Sequence, residues 1–287
     1  MAEKFPTGKL HVSYSEVKAW AECPFRHYLM YVKGINTYVD NPYADFGTIV
    51  HEAIEDYLKG SPFDLNVINE KIDTRWNEKG YNTKEYIDQI IDDRKSNGWK
   101  YVHESIEDFQ NSAKTIVEDF PAFMDETFPG WNLMSAEQQL YEPLNEELSF
   151  KGFIDCVIAR ETKPGSGKIE YWVIDWKTTK KTGWFWKKKK EFLSLAQVAL
   201  YKQYWSNKFN IPVEDIKVAY VFLKRGAKPG KSIELFTFSS GPKFLQKAND
   251  LVNKMIINVK KGTKLKNYNN CVFCPYKNTE HCSGKGW

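Results

Sequence analysis

An acid and a lysine interrupt an apolar run at residues 173–181, VIDWKTTKK, and this interruption constrains the fold more than any other feature. Val173, Ile174 and Trp176 are typical of a buried strand. A charge that is buried without a partner costs several kcal/mol, so Asp175 and Lys177 need a stabilising partner.

The turn KPGSG at residues 163–167 supplies one candidate partner. Its glycine and proline predict a hairpin, and a centre near Gly165 pairs residues whose numbers sum to about 330. Asp155 then lies opposite Asp175, with Cβ atoms about 4.5–5.5 Å apart. Lys177 shares their face because side chains two apart on a strand point the same way.

Two carboxylates that lie this close together on one face of a sheet have two alternative explanations. They repel each other, and a divalent cation would relieve the repulsion; carboxylate oxygens suit Mg²⁺ or Mn²⁺. Lys177 would then position or deprotonate a metal-bound water, or stabilise developing phosphate charge. The spacing is equally compatible with a buried Asp175–Lys177 ion pair in which Asp155 caps a turn.

The order of patterns predicts one α/β core with a mixed sheet. A capping box at Ser13 and Glu16 begins a predicted helix over 13–32, and a second amphipathic helix ends at Gly60. Residues 62–130 have a mostly helical pattern and form a predicted insertion. Further helices are expected over 191–209 and about 242–260. The predicted strands lie in EQQLYEPL, LSFKGFIDCVIAR, KIEYWVIDWKTT, IKVAYVFLK and SIELFTFS.

Length and composition predict a folded intracellular protein. The chain of 287 residues is long enough for a sizeable core, and its net charge of +4 indicates little about partners. Its apolar runs fall short of the roughly 18 residues that a membrane helix needs, and the N-terminus lacks a signal-peptide core. We therefore expect no membrane association and a single domain over 1–287.

The five cysteines indicate a metal site rather than disulfides. An odd number in a reducing compartment argues against a disulfide framework. Cys271, Cys274 and Cys282 lie in CVFCPYKNTEHC, which has metal-ligand spacing. Cys156 should point to the sheet face opposite Asp155 and belong to the core.

Lysines and aromatic residues alternate in KKTGWFWKKKKEF, residues 180–192. From Lys177 to Lys190 there are seven lysines and no acid. Such a segment can hold a nucleic-acid backbone electrostatically while aromatic rings stack on bases. The alternative is a solvated hairpin whose aromatic side chains pack on the core. The candidate DNA-binding residues are Trp184, Trp186, Lys187, Lys188, Lys189 and Lys190.

The segments GFIDCV, VIDWKT and QVALY, in this order, resemble the RecB-like branch of the PD-(D/E)XK nucleases. The resemblance implies a restriction-endonuclease-like α/β core. It also implies that Asp155 and Asp175 bind the metal, that Lys177 is the catalytic lysine, and that the backbone carbonyl of Trp176 is a further ligand.

Two helical motifs extend the resemblance over residues 47–201. The family's G-x-x-x-H matches Gly47 and His51, which implies that His51 is another metal ligand. Its Q-x-x-x-Y matches Gln197 and Tyr201, which would orient the substrate or Lys177. Alternatively, His51 is a structural histidine, and Gln197 and Tyr201 are ordinary helix residues.

One cysteine near the start and three near the end resemble the iron–sulfur nucleases of this branch. These include CRISPR-adaptation nucleases, the AddB nuclease domain and eukaryotic single-strand exonucleases. The resemblance implies a [4Fe–4S] cluster that joins the termini; zinc is the alternative. Seven residues separate Cys274 from Cys282, a somewhat long gap. The implied cluster ligands are Cys23, Cys271, Cys274 and Cys282.

Together these features predict a Mg²⁺- or Mn²⁺-dependent deoxyribonuclease that acts on single-stranded DNA or DNA ends. The alternative is a DNA-binding subunit of a recombination or helicase complex that keeps the fold without cutting. A third class, a zinc-stapled protein without nuclease activity, would contain zinc and no iron.

Overall fold

A six-stranded mixed sheet forms the centre of the structure, a computed structural model that describes residues 5–96, 103–272 and 274–284. The predicted strands are present, together with a short first strand that the sequence reading missed. The strands are β1 (His11–Ser13), β2 (Asn132–Pro143), β3 (Ser149–Glu161), β4 (Ile169–Lys180), β5 (Ile216–Arg225) and β6 (Ile233–Thr237).

Strand β3 has different partners along its two edges. Strand β2 runs antiparallel along one edge, from Ser149 to Ala159. On the other edge, β1 pairs in parallel with residues 149–151 and β4 pairs antiparallel with residues 156–161. The order then continues from β4 to β5 in parallel and from β5 to β6 antiparallel. This second edge therefore has an opening between β1 and β4, which we call the fork.

Two helical layers cover the sheet. Val157, Val173 and Val218 pack against one layer, which includes α1, α8 and α9, and Cys156 and Ile174 pack against the other, which includes α3, α4 and α6. The helices are α1 (Tyr14–Glu22), α2 (Pro24–His27), α3 (Pro42–Leu58), α4 (Leu65–Lys79), α5 (Lys84–Ser96), α6 (Ile106–Thr127), α7 (Trp186–Lys190), α8 (Phe192–Phe209) and α9 (Pro242–Lys260).

The predicted helical insertion is part of the core. Helices α4 and α6 pack on α3 through Ile72, Trp76, Phe109 and Phe120, so the segment covers one face of the sheet. The part of that prediction over 97–102 lies outside the described residues.

The predicted continuous helix over 13–32 is wrong. Ser13 caps α1 as expected, but Cys23 is extended (φ −163°, ψ 109°), and Pro24 begins α2. Proline disfavours helical conformation in the preceding residue, which places the break at Cys23. A five-residue π-helix, Tyr28–Val32, follows.

The two ends of the chain pack together. The Phe25 N–H donates to the Leu265 carbonyl at 3.0 Å, and the Tyr276 hydroxyl donates to the Ile35 carbonyl at 2.6 Å. The Asn270 side chain donates to the Glu22 carbonyl. The C-terminal segment therefore lies against the helices that follow α1.

In the described part of the chain, no helix combines the length and the apolar character that crossing a membrane requires.

Candidate active site

The candidate active site lies at the fork, where β3 and β4 stop pairing. The predicted register is correct, since Cys156 pairs with Ile174, but this is the last pair before the fork. Beyond it, Asp155 Oδ2 accepts a hydrogen bond from the Trp176 N–H at 2.7 Å. A side-chain carboxylate thus replaces the strand partner of Trp176. In a strand the N–H and C=O of one residue point to the same edge, so the Trp176 carbonyl also points into the fork.

Asp175 and Lys177 are adjacent in the site. Asp175 is 1% exposed, and the Lys177 Nζ lies 2.5 Å from its Oδ2. The lysine ammonium is therefore the charge partner of this buried oxygen. The buried Asp175–Lys177 ion pair that the sequence offered as an alternative is therefore present in the structure.

The charges of these residues are strongly coupled. Burial, and then the Asp175 charge, raise the pKa of Asp155 well above its ordinary value of 3.8. Burial also raises the pKa of Asp175, although Lys177 opposes the shift. Burial alone would lower the pKa of Lys177, but the two carboxylates outweigh it and raise that pKa. The lysine is therefore an ammonium ion at neutral pH.

His51 reaches the fork from α3. Its Nδ1 lies 3.7 Å from Asp155 Oδ2. Burial, and then the Lys177 charge, lower the pKa of His51 to about 4. The ring is neutral at pH 7, which is the form that binds metals. Gly47, one helical turn earlier, allows this approach, because a Cβ there would lie 3.1 Å from Thr178 Oγ1 on β4.

Gln197 and Tyr201 approach from the opposite layer. The Gln197 amide donates to the Tyr201 hydroxyl at 3.1 Å. Tyr201 is buried against Gly152 of β3, where a Cβ would lie 2.6 Å from the tyrosine ring. The glycine of the GFIDCV segment therefore provides space for this ring, and the ring holds Gln197.

Sequence reasoning missed Glu137 of β2. Its neighbours Ala136 and Gln138 pair with Cys156 and Ile154, so Glu137 lies opposite Asp155. Its φ of +50° is in the left-handed region, which non-glycine residues rarely adopt. Burial, and then the Glu55 charge, raise its pKa. A single sequence shows no signal for this position, because Glu137 looks like an outward-facing residue of a two-sided strand.

A groove of about 910 Å³ extends from the fork. Its lining carries the basic side chains of Lys18, Arg26, Lys177 and Lys188, together with Glu22, which pairs with Arg26 at 2.9 Å. Aromatic rings, the Gln197 side chain, and part of the C-terminal segment line it too. The aromatic lining residues are Tyr14, Tyr31, Trp184 and Tyr220.

In the basic aromatic segment after β4, some side chains contact the rest of the protein and others are exposed. Trp184 packs on Tyr220 and Phe222, with ring centroids 4.9 and 5.1 Å apart, and Lys188 lies over the Trp184 ring. Lys189 pairs with Glu234 at 2.6 Å. Trp184, Lys188 and Lys189 therefore all contact other residues of the protein.

The rest of that segment is free to meet a ligand. Trp186 is 65% exposed, and Lys187 and Lys190 lie over its ring. The exposed members of the predicted DNA-binding set are therefore Trp186, Lys187, Lys188 and Lys190.

The four predicted cluster cysteines line one cavity, although they come from both ends of the chain. Cys23, Cys271, Cys274 and Cys282 all border it. The Asn267 N–H donates to Cys23 Sγ at 3.4 Å. Cys156 is fully buried in the core, as predicted.

Among residues 5–96, 103–272 and 274–284, no group of three or more His, Cys, Asp or Glu side chains has a metal-binding arrangement. This applies to the fork and to the cysteines alike, so the predicted cluster is not shown.

Two comparisons with known proteins concern the family and the fold of this chain. The sequence model of the PD-(D/E)XK nuclease superfamily matches residues 11–279. The crystal structure of an Eubacterium rectale protein called "Putative exonuclease" matches with a TM-score of 0.51 and 14% identity, over 94% of this chain and 88% of that one. At this identity, the structural likeness concerns the fold.

A mixed sheet with acids and a lysine at a fork defines a nuclease-type core. The family match covers nearly the whole chain, and the protein therefore belongs to the PD-(D/E)XK nuclease superfamily, whose members are metal-dependent nucleases.

The raised pKa of Asp155 predicts how stability depends on pH without metal. Between 3.8 and the raised value, the folded protein binds more protons than the unfolded chain, so stability falls as pH rises. Asp155→Asn keeps an acceptor for the Trp176 N–H but removes this titration. In EDTA, the melting temperatures of variant and parent should be similar near pH 4 and diverge with rising pH, the variant becoming the more stable.

His51 contributes with the opposite sign, because its pKa is lowered and its stability effect grows as pH rises. His51 is present in both the parent and Asp155→Asn, so comparing their melting temperatures largely removes the contribution of His51. A difference in melting temperature that stays constant with pH, or that shrinks as pH rises, would contradict the assigned shift.

Proposed function

We propose that the protein is a divalent-cation-dependent deoxyribonuclease that hydrolyses phosphodiester bonds at the fork and acts as an exonuclease on single-stranded DNA or DNA ends. The observation that carries the proposal is the convergence of Asp155, Asp175, Lys177 and neutral His51 at the fork, from which Lys177 also lines the groove.

The side chains at the fork suit Mg²⁺ or Mn²⁺. Two carboxylates with raised pKa values face a single lysine, so a divalent cation would supply the positive charge that the pair still lacks. Asp155, Asp175, His51 and the Trp176 carbonyl would hold the cation. When bound, the cation supplies Lewis-acid polarisation of the scissile phosphate and lowers the pKa of water.

Lys177 then acts as an ammonium ion. Its raised pKa favours orienting the attacking water or stabilising charge on the phosphate over removing a proton. Gln197 lines the groove beside it and is held by Tyr201, so its amide is placed to orient the substrate.

Removing Asp175 or Lys177 should separate folding from chemistry. Asp175→Ala deletes a cation ligand, and Lys177→Ala should lower kcat by about 10²–10⁴, the usual contribution of a positioned proton-transfer or charge-stabilising group. Both variants should remain folded, because Asp175→Ala also removes carboxylate repulsion. The measurement is cleavage of end-labelled single- and double-stranded DNA with Mg²⁺, Mn²⁺ or EDTA.

Lys168→Ala is the matched control, since this exposed lysine lies in the hairpin turn at the far end of β4. Near-parental cleavage by Asp175→Ala or Lys177→Ala would defeat the proposal. A parent that binds DNA but does not cut it with either metal would favour the alternative, a non-cleaving subunit of a helicase or recombination complex.

The groove favours a single strand as the substrate. Its lining includes both cationic and aromatic side chains, which matches the combination of phosphate contacts and base stacking in single-strand binding. Trp186, with Lys187 and Lys190 over its ring, would extend this path onto the exposed segment after β4.

Two variants separate electrostatics from stacking on that segment. In Lys187→Ala/Lys190→Ala, single-strand affinity should fall most at low salt, and the salt slope should shrink by about 0.7 per lost phosphate contact. Trp186→Ala should cost about 1–3 kcal/mol of binding with little change in slope. Fluorescence anisotropy over a salt series measures both effects.

The control for charge is Lys163→Ala/Lys168→Ala in the distant hairpin turn. If both segment variants bind like this control, the DNA does not contact the segment after β4.

The cysteine cavity supports a second, structural metal group. Thiols from both ends of the chain line it, and burial, followed by the other three thiols, raises the pKa of Cys271. A metal would stabilise the thiolates and link the two ends, because binding free energy contributes to folding when ligands come from distant segments. We infer a [4Fe–4S] cluster, with zinc as the alternative.

Protein purified without oxygen should be brown and contain iron and sulfide. Cys23→Ser and Cys271→Ser should both lose the colour and lower solubility, whereas Cys156→Ser should keep the colour. Colourless protein that contains zinc and has normal stability would defeat the iron–sulfur inference and leave the nuclease proposal intact.

A further inference from the structure

One part of the sheet beside the fork leaves a large aromatic side chain in solvent. Gly152 and Ile154 of β3 face the layer of α1, α8 and α9, since Gly152 contacts Tyr201 and Ile154 belongs to that core. Side chains alternate along a strand, so Phe153 faces the layer of α3, α4 and α6. Phe153 is nevertheless 45% exposed, although β3 lies inside the sheet. The helices of that layer therefore leave the Phe153 ring accessible.

The same face continues across β2 and β1. Tyr141 of β2 pairs with Lys151 of β3, and its neighbour Leu140 belongs to the core, so the Tyr141 ring shares the face of Phe153. Tyr141 is also 45% exposed. The Lys151 Nζ lies 5.8 Å from the centroid of the Phe153 ring, and the rings of His11 and Tyr141 have centroids 6.0 Å apart. We call His11, Tyr141, Lys151 and Phe153 the aromatic face.

The charge on the aromatic face is positive. Within the described ranges of the chain, no carboxylate forms an ion pair with Lys151. Glu142 of β2 points to the opposite face, where it pairs with Lys208 at 3.2 Å. Burial, and then the charges of Lys151 and Lys9, lower the pKa of His11. The positive charge of both lysines is therefore felt beside the exposed rings.

The aromatic face adjoins both the fork and the groove. Phe153 lies two residues before Asp155 on β3, a separation of about 7 Å along a strand. His51 approaches Asp155 from α3, on the side of the sheet to which Phe153 points. Lys9, which precedes β1, has its Nζ 5.1 Å from the ring centroid of Tyr31, a lining residue of the groove. A strand of DNA bound at the fork would therefore lie next to this face.

Exposed rings beside a cation without an acidic partner suit a single-stranded nucleic acid. Aromatic side chains stack on unpaired bases, and cations contact the phosphates between those bases. A duplex keeps its bases paired and would present them for stacking only at its ends. A second copy of this chain would bring the same positive charge to the contact, which disfavours a symmetric dimer on this face.

We propose that the aromatic face binds the bases of single-stranded DNA next to the scissile phosphate, with Phe153 and Tyr141 stacking on bases and Lys151 contacting a phosphate. The inference rests on the proposed function, since it concerns the same substrate. It goes further because it assigns a second binding surface, which lies outside the groove and outside the segment after β4.

Binding of a fluorescein-labelled oligothymidylate to the full-length protein in EDTA tests the proposal without cleavage. Phe153→Ala and Tyr141→Ala should each lower the affinity about 5- to 150-fold, the range for one lost base stack. Phe153→Tyr and Tyr141→Phe keep a ring and should bind like the parent. The matched control is Ile169→Ala, which removes an apolar side chain that is 40% exposed at the far end of β4.

A second probe separates the bases from the phosphates. An oligomer of the same length in which every nucleotide is abasic keeps the phosphates and lacks the bases. Phe153→Ala should bind this oligomer as the parent does. Lys151→Gln should bind both oligomers more weakly and reduce the salt slope by about 0.7. Lys163→Gln, in the distant hairpin turn, is the control for charge.

Melting temperatures show whether each variant is folded. Because Phe153 lies inside the sheet, Phe153→Leu is the second variant at this position: it keeps the apolar volume and removes the flat ring. It should melt near the parent and still bind the oligothymidylate more weakly than Ile169→Ala does.

Three results would overturn the inference and leave the proposed nuclease standing. The first is that Phe153→Leu and Tyr141→Ala bind the oligothymidylate like Ile169→Ala. The second is that Phe153→Ala loses as much affinity for the abasic oligomer as for the oligothymidylate. The third is that the parent sediments as a dimer that Phe153→Ala dissociates with unchanged DNA affinity, since the face would then join two copies of the chain.

A parent that neither binds the oligothymidylate nor cuts DNA with Mg²⁺ or Mn²⁺ gives a different result. The proposed function would then fail, and the role of the aromatic face would fail with it.

Discussion

The hydrogen bond from the Trp176 N–H to the Asp155 carboxylate is the interaction on which the site depends. It replaces a strand-to-strand bond where β3 and β4 separate, so the two strands can part without leaving a buried N–H unsatisfied. The same bond fixes one oxygen of Asp155 within the plane of the sheet. His51 approaches this carboxylate from one helical layer, with its Nδ1 3.7 Å from Asp155 Oδ2.

Close backbone packing lets both layers reach the fork. Gly47 brings α3 against Thr178, and Gly152 makes space for the Tyr201 ring. An added Cβ at Gly152 would lie 2.6 Å from that ring, a distance at which the helix or the strand must move. A glycine at position 47 is therefore needed for His51 to approach the fork, and a glycine at position 152 is needed for the Tyr201 ring to pack on β3. Gly47 and His51 therefore belong to one contact between α3 and the sheet, and Gly152 and Tyr201 belong to one contact between the sheet and α8.

The sequence predicted the hairpin register of β3 and β4, because local turn chemistry and strand alternation determine it. It could not predict where the pairing of β3 with β4 ends. The end depends on the Asp155 carboxylate, which replaces a backbone carbonyl as the acceptor for the Trp176 N–H. Glu137 was missed for a related reason: a left-handed glutamate contradicts local propensity and is maintained by tertiary structure. The break at Cys23 was readable from Pro24 but was overridden by the helical periodicity around it.

The two ends of the chain complete the groove as well as the cysteine cavity. Arg26 and Asn270 line both, and the Asn270 side chain donates to the Glu22 carbonyl at the end of α1. Part of the wall of the groove is therefore made of segments from both ends of the chain that are hydrogen-bonded to each other. Whatever fixes the four thiols also fixes this wall, since Cys23 and Cys271 are the immediate neighbours of Glu22 and Asn270. The geometry of β4 is determined by the sheet, whereas the shape of the groove depends on how the two ends of the chain are joined.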